Sequence, residues 1–137
     1  MTTINAIFKA VQSSWSKETC YPLQREEWSE SNPSIGQCAV TSLVVQDYFG
    51  GEIGYNSTFK HYWNIFPKSK IIDLTKDQFP RNSIIVLEKI VTRDYLLNSE
   101  NAFRVETFKR YEILKNKVKN KLKKQFEQRN NPSLIKQ

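Results

Sequence analysis

Apolar residues recur along this chain with two different periods, and the change from one to the other divides it. Ile4, Ile7, Phe8, Val11 and Trp15 fall at spacings of three and four, which predicts an amphipathic helix over residues 4–15. Residues 16–36 keep no period and hold Pro22, Pro33, the run Ser29–Asn32 and Gly36, so they read as a loop. Trp15 and Trp28 bracket it and are expected to pin it to the body. Over residues 37–49 the apolar positions, led by Val40, Leu43, Val44 and Tyr48, extend nearly all round a helix, which predicts a buried central helix. Gly50 and Gly51 follow where a helix C-terminus favours positive φ.

The period then shortens to two. Glu52–Tyr55 is a short candidate strand, and Phe59, His61, Trp63 and Ile65 alternate with Lys60, Tyr62, Asn64 and Phe66. A turn at Pro67–Lys70 leads to a strand over Ile71–Leu74, and the β-branched run Ile84–Val91 reads as a third main strand. Arg93–Asn98 reads as a helical turn or an irregular segment. From about Ala102 to Arg129 the helical period returns through Phe108, Tyr111, Leu114, Val118, Leu122 and Phe126. Asn130-Asn131-Pro132 ends this helix, leaving residues 130–137 as a flexible tail to a domain spanning 1–129.

Composition changes this picture in a few places. With 137 residues, 39% of them hydrophobic, the chain has the size and make-up of a single globular domain. No apolar run approaches the roughly 18 residues of a membrane span. No basic stretch precedes an apolar one near Met1, so a cytoplasmic protein is expected, with Cys20 and Cys38 as free thiols. The net charge of +7 is local: residues 109–129 carry nine Lys/Arg and two Glu (9 − 2 = +7), residues 1–108 carry eleven and twelve (11 − 12 = −1), and Lys136 adds +1. Nucleic acid is not the expected partner, because no zinc motif, helix-turn-helix pattern or aromatic-basic RNA motif accompanies the basic stretch. Were the stripe through Val118, Leu122 and Phe126 to project from the body, it would pair with a second copy to form a homodimer. One His and two Cys, without CxxC or HExxH spacing, predict no metal and no cofactor.

The chemistry concentrates in Cys38, His61 and Asp73. Cys38 opens the central helix, where first-turn N–H groups and the helix dipole favour a thiolate. His61 is the chain's one histidine and lies in a predicted strand; Asp73 lies in the next. A thiolate nucleophile, an imidazole base and an orienting carboxylate are the parts needed for acyl transfer through a thioester, with the Cys38 backbone N–H as an oxyanion donor. Strand register sets a condition. A turn of two or four residues pairs Ile71 with Phe66 and puts Asp73 opposite Asn64, away from His61; an odd turn such as Pro67–Ser69 pairs Asp73 with Trp63, on the face of His61. The triad therefore requires the odd turn or a bulge.

The string from Trp28 through Gly36-Gln37-Cys38 to Gly51, with His61-Tyr-Trp-Asn64, Asp73-Leu-Thr75 with Gln78-Phe79, and Arg110-Tyr111-Glu-Ile-Leu114, resembles the YunG family of small bacterial proteins over about residues 14–118. More distantly, a helix-borne Cys followed by a strand His and a strand Asp is similar to papain-like and transglutaminase-like proteins. That resemblance implies a papain-like α+β fold, a Cys38-bearing helix packed on a small antiparallel sheet. It gives Cys38 the role of nucleophile, His61 of general base and Asp73 of orienting residue. It also implies an amide side chain six residues before the cysteine as oxyanion donor; that position is Asn32, with Gln37 and Gln24 as competing amides. The expected function is a cysteine-dependent hydrolase or acyltransferase acting on an amide or thioester, in the manner of a peptidase, deamidase or transglutaminase. The alternative is a catalytically inactive papain-like domain that binds a partner through its basic helix.

Overall fold

The computed structural model describes residues 3–130. Helix α1 (Ile4–Gln12) begins at Thr3, whose side chain accepts from the Ala6 N–H. Helix α2 (Cys38–Phe49) follows the long loop and ends at Gly50, which takes φ 71°. Four strands come next: β1 (Glu52–Asn56), β2 (His61–Phe66), β3 (Lys70–Ile72) and β4 (Lys89–Val91). Three helices close the described chain: α3 (Arg93–Asn98), α4 (Glu100–Arg104) and α5 (Thr107–Asn130). The sheet has the order β3-β2-β1-β4, and every neighbouring pair is antiparallel. The architecture is α+β, a small antiparallel sheet with a long C-terminal helix.

Helix α2 sits at the centre, packed on β2, β1 and α5. Val40, Leu43 and Val44 are fully buried, with Val11 from α1, Ile53 from β1, and Leu114 and Val118 from α5. Val45 is buried as well, so the helix is covered through its middle turns, whereas Tyr48, expected in its apolar pattern, is exposed in the last turn. The Trp15 indole N–H donates to Thr41 Oγ1 at 2.9 Å, tying the start of the loop to α2. The Trp28 indole N–H donates to the Pro33 carbonyl at 2.9 Å, closing the loop on itself rather than onto the body. Arg93 joins three helices: it donates to the Leu43 carbonyl and Asp47 of α2 and to the Tyr111 hydroxyl of α5. Among the described residues no helix is long and apolar enough to cross a membrane.

The structure corrects several sequence expectations. The first helix stops at Gln12, before Trp15. Strand β2 starts at His61, because Lys60 takes φ 51° and belongs to the preceding turn. The run Ile84–Val91 pairs only over Lys89–Val91. Its partner β1 runs out at Asn56, whose side chain instead donates to the Val86 carbonyl at 2.8 Å, and Ile84 and Val86 are left exposed. The last helix begins at Thr107, not near Ala102, because Glu106 adopts φ 54° and separates α4 from α5. Along the stripe of α5, Leu114 and Val118 are fully buried and Leu122 packs on the core, so it is covered by the body that far, whereas Phe126 is exposed. The expected tail at 130–137 lies, beyond Asn130, outside the described residues.

Candidate active site

The loop before α2 fixes where Cys38 stands. Gly36 takes φ 70°, and a Cβ there would lie 2.5 Å from Cys20 Sγ and 2.8 Å from the Tyr21 backbone nitrogen. The next residue, Gln37, is fully buried: its Oε1 accepts from the Thr19 hydroxyl at 2.7 Å and its Nε2 donates to the Ser16 carbonyl at 3.0 Å. Those bonds anchor the first turn of α2 against the loop, and Cys38 follows half-buried as the first helical residue. Its Sγ lies 3.9 Å from the Lys60 carbonyl oxygen, which the left-handed Lys60 turns toward it.

His61 opens β2 and is fully buried. The turn after β2 is Pro67–Ser69, with three residues, and the ladder runs Phe66–Lys70, Ile65–Ile71, Asn64–Ile72. Continued by one step, that register sets Asp73 against Trp63, on the face of His61. There Asp73 Oδ2 meets His61 Nε2 at 2.7 Å. The other carboxylate oxygen accepts from the Thr75 backbone N–H at 3.3 Å and its hydroxyl at 3.4 Å. Phe79 meets the imidazole edge-on with centroids 4.7 Å apart, and Trp63 stacks at 5.8 Å, so the ring is clamped on two sides. Trp63 is itself core, 4% exposed.

With Nε2 committed to Asp73, His61 Nδ1 is buried without a hydrogen-bond partner and is the nitrogen left for the thiol. Burial works against the imidazolium; the hydrogen bond to Asp73, and then the interaction with the Cys38 side chain, outweigh it and raise the pKa to about 9. His61 is thus a cation at neutral pH beside Cys38. Cys20 has the opposite setting. It is fully buried, and that burial pushes its pKa up to about 11.

A cavity of about 410 Å³ opens onto Cys38. Tyr55, Phe59, Tyr62, Phe79 and Tyr95 give it an aromatic wall, and the amides of Gln24, Gln78 and Asn101 also line it. The Gln78 Nε2 is buried with no hydrogen-bond partner. Of the three amides singled out in sequence, Gln24 lines this cavity, whereas Asn32 and Gln37 do not. Asn32 lies in an exposed turn bridged to Ser29, and the Gln37 amide is spent on Thr19 and Ser16. The pair Gln78-Phe79 was visible in the sequence only as part of a family signature; a short helical turn, Lys76–Gln78, precedes Phe79, which lies against His61. Among the described residues no group of three or more His, Cys, Asp or Glu side chains could hold a metal ion.

Comparison with known proteins places the chain in a family. The family described as YunG protein matches residues 3–123. A curated relative from Bacillus subtilis (strain 168), named "Uncharacterized protein YunG", is 35% identical over 71 residues. The match covers 50% of this chain and 56% of the relative, so the aligned part spans little more than half of that protein. No solved structure matches the chain.

Proposed function

The chain belongs to the YunG family, and from that premise we propose that it is a papain-like cysteine enzyme, a hydrolase or acyltransferase that attacks an amide or thioester carbonyl through Cys38. One observation carries the reading: the buried 2.7 Å contact between His61 and Asp73 is held beside a half-buried cysteine that starts a helix and lines a cavity. A buried histidine serving only as core would not need an aspartate on one nitrogen and a thiol by the other.

In the proposed cycle the Cys38 thiolate adds to the carbonyl carbon, and the carbonyl π electrons move onto oxygen. The backbone N–H of Cys38 and the unpartnered Nε2 of Gln78 receive that oxyanion. Its collapse expels the amine or thiol leaving group, protonated by His61, and leaves a thioester on Cys38. Water, or an acceptor amine, then attacks the thioester while His61 takes its proton, and Cys38 leaves as thiolate. Asp73 keeps Nε2 of His61 occupied and so holds Nδ1 toward the sulfur throughout.

The test is the rate of Cys38 alkylation by iodoacetamide against pH. An activated pair gives a rate that plateaus below about pH 7 and loses that low-pH arm in His61→Ala. A curve that rises only near the free-thiol pKa of about 8.5, unchanged in His61→Ala, overturns the reading. Acylation by p-nitrophenyl acetate adds the oxyanion. Gln78→Leu is expected to slow acylation at least about tenfold while leaving alkylation within about threefold.

The non-catalytic alternative draws on Lys115, Lys119, Lys123 and Lys124, which α5 presents to solvent. Partner binding on that face predicts affinity that falls steeply with salt and survives Cys38→Ala.

A further inference from the structure

Arg110 is a buried charge without a counter-ion. It sits in the basic run of α5, yet it is only 2% exposed. Three neutral oxygens hold it: Nε donates to the Val105 carbonyl at 2.9 Å, Nη1 to the Thr19 carbonyl at 3.1 Å, and Nη2 to Thr107 Oγ1 at 3.4 Å. A guanidinium carries five N–H groups, so these three acceptors leave two unassigned (5 − 3 = 2). Among the described residues no carboxylate pairs with it. Glu18 and Glu106, which line the adjoining cleft, pair with Lys117 at 4.0 Å and Lys109 at 3.8 Å instead. Burial lowers the Arg110 pKa to about 10, so it remains a cation at neutral pH. Buried charges in proteins are ordinarily paired.

The position of this charge says where its partner would lie. Arg110 lines the Cys38 cavity. Lys60 adds a second cation to the lining, and no Asp or Glu contributes to it. The remaining polar groups there are neutral amides and hydroxyls, set against the aromatic wall.

We propose that this cavity takes an acyl substrate bearing a carboxylate, and that Arg110 is the residue that receives it. The inference rests on the reading of Cys38 as nucleophile and deepens it by naming the substrate class. The two spare N–H groups of Arg110 donate to the carboxylate, Lys60 adds to the positive potential, and the aromatic wall packs the apolar part. The nucleophile, the oxyanion donors and the anion site then face one volume, with the scissile carbonyl between Cys38 and the carboxylate-binding end.

Iodoacetate and iodoacetamide form the test pair, because both alkylate a thiolate by displacing iodide and they differ in charge. Rates at Cys38 are measured on the full chain by peptide mass mapping at pH 7 and fixed ionic strength, with N-acetylcysteine giving the intrinsic ratio of the reagents. The expected iodoacetate preference at Cys38 exceeds that ratio at least about tenfold. It is lost in Arg110→Met and reduced in Arg110→Lys, which keeps the charge but not the fork. No excess in the wild-type protein overturns the proposal, and so does an excess that survives in Arg110→Met but vanishes in His61→Ala. Equal slowing of both reagents in Arg110→Met also overturns it, since Arg110 would then serve the thiolate and not a ligand. Should Arg110→Met lose its native circular dichroism, Arg110→Lys decides, and an unchanged preference there counts against the proposal. Failure of the nucleophile reading shows separately, in the pH profile with the neutral reagent.

Discussion

A single proton couples the site to stability. His61 has a folded pKa of about 9 against an ordinary value of 6.5. Between those values the folded chain binds a proton that the unfolded chain releases, so raising the pH weakens folding. The stabilisation is complete below about pH 6.5 and is gone once the pH has risen through about 9. At 1.36 kcal/mol per unit, the full effect is on the order of 3 kcal/mol for this fully buried ring. Urea unfolding of the wild-type chain should therefore show a midpoint that drops from pH 6 to pH 9.5. In His61→Gln that drop should shrink by most of this amount. A His61→Gln profile parallel to the wild type would mean that the Asp73 contact does not hold the imidazolium.

At the scale of elements, the helices were legible where burial is one-sided or complete. Helix α2 announces itself because its apolar positions need no neighbour to be recognised, and α1 because its stripe is regular. Strands were less legible because a strand exists only with its partner. Ile84–Val91 has strand composition, but β1 offers three positions for pairing and then ends. Cys38 at a helix start and His61 in a strand were readable, whereas Asp73, expected within a strand, falls just past the end of β3; the three-residue Pro67–Ser69 turn is the odd turn that brings it to the face of His61. Two features were not readable. Gln37 looked free beside Cys38, whereas its amide anchors the loop. Arg110 counted in sequence only toward the basic charge of residues 109–129, although the helical turn points it inward. The start of α5 was hidden for a related reason: the Arg110 Nε holds the Val105 carbonyl at 2.9 Å, beside a Glu106 with φ 54°. A left-handed conformation costs a residue with a Cβ about 1 kcal/mol that glycine escapes. The exposed Glu106–Lys109 contact at 3.8 Å contributes little in return. Glu106→Gly is accordingly expected to be more stable to urea than Glu106→Ala by about 1 kcal/mol. Equal stabilities would show that the break between α4 and α5 is not strained.

The whole molecule sorts its two cysteines into opposite settings, and that separation can be measured directly. Cys38 stands at the mouth of a cavity, whereas Cys20 is sealed beneath Gly36 and the Tyr21–Gly36 backbone bond at 2.8 Å. Reaching Cys20 requires the loop before α2 to lift, which also frees Gln37 from Thr19 and Arg110 from the Thr19 carbonyl. Because those bonds join the loop to α2 and α5, its release is expected to accompany global unfolding and not precede it. A domain of ordinary stability, about 5 kcal/mol or more, keeps the open form below about one molecule in a thousand. Iodoacetamide should therefore modify Cys38 in the native protein at least about 10³-fold faster than Cys20, as read by mass mapping of the two peptides. In increasing urea the Cys20 rate should climb along the unfolding transition followed by circular dichroism. Cys20 reacting well before that transition would place the weakest part of the fold in the loop that leads into Cys38 and α2.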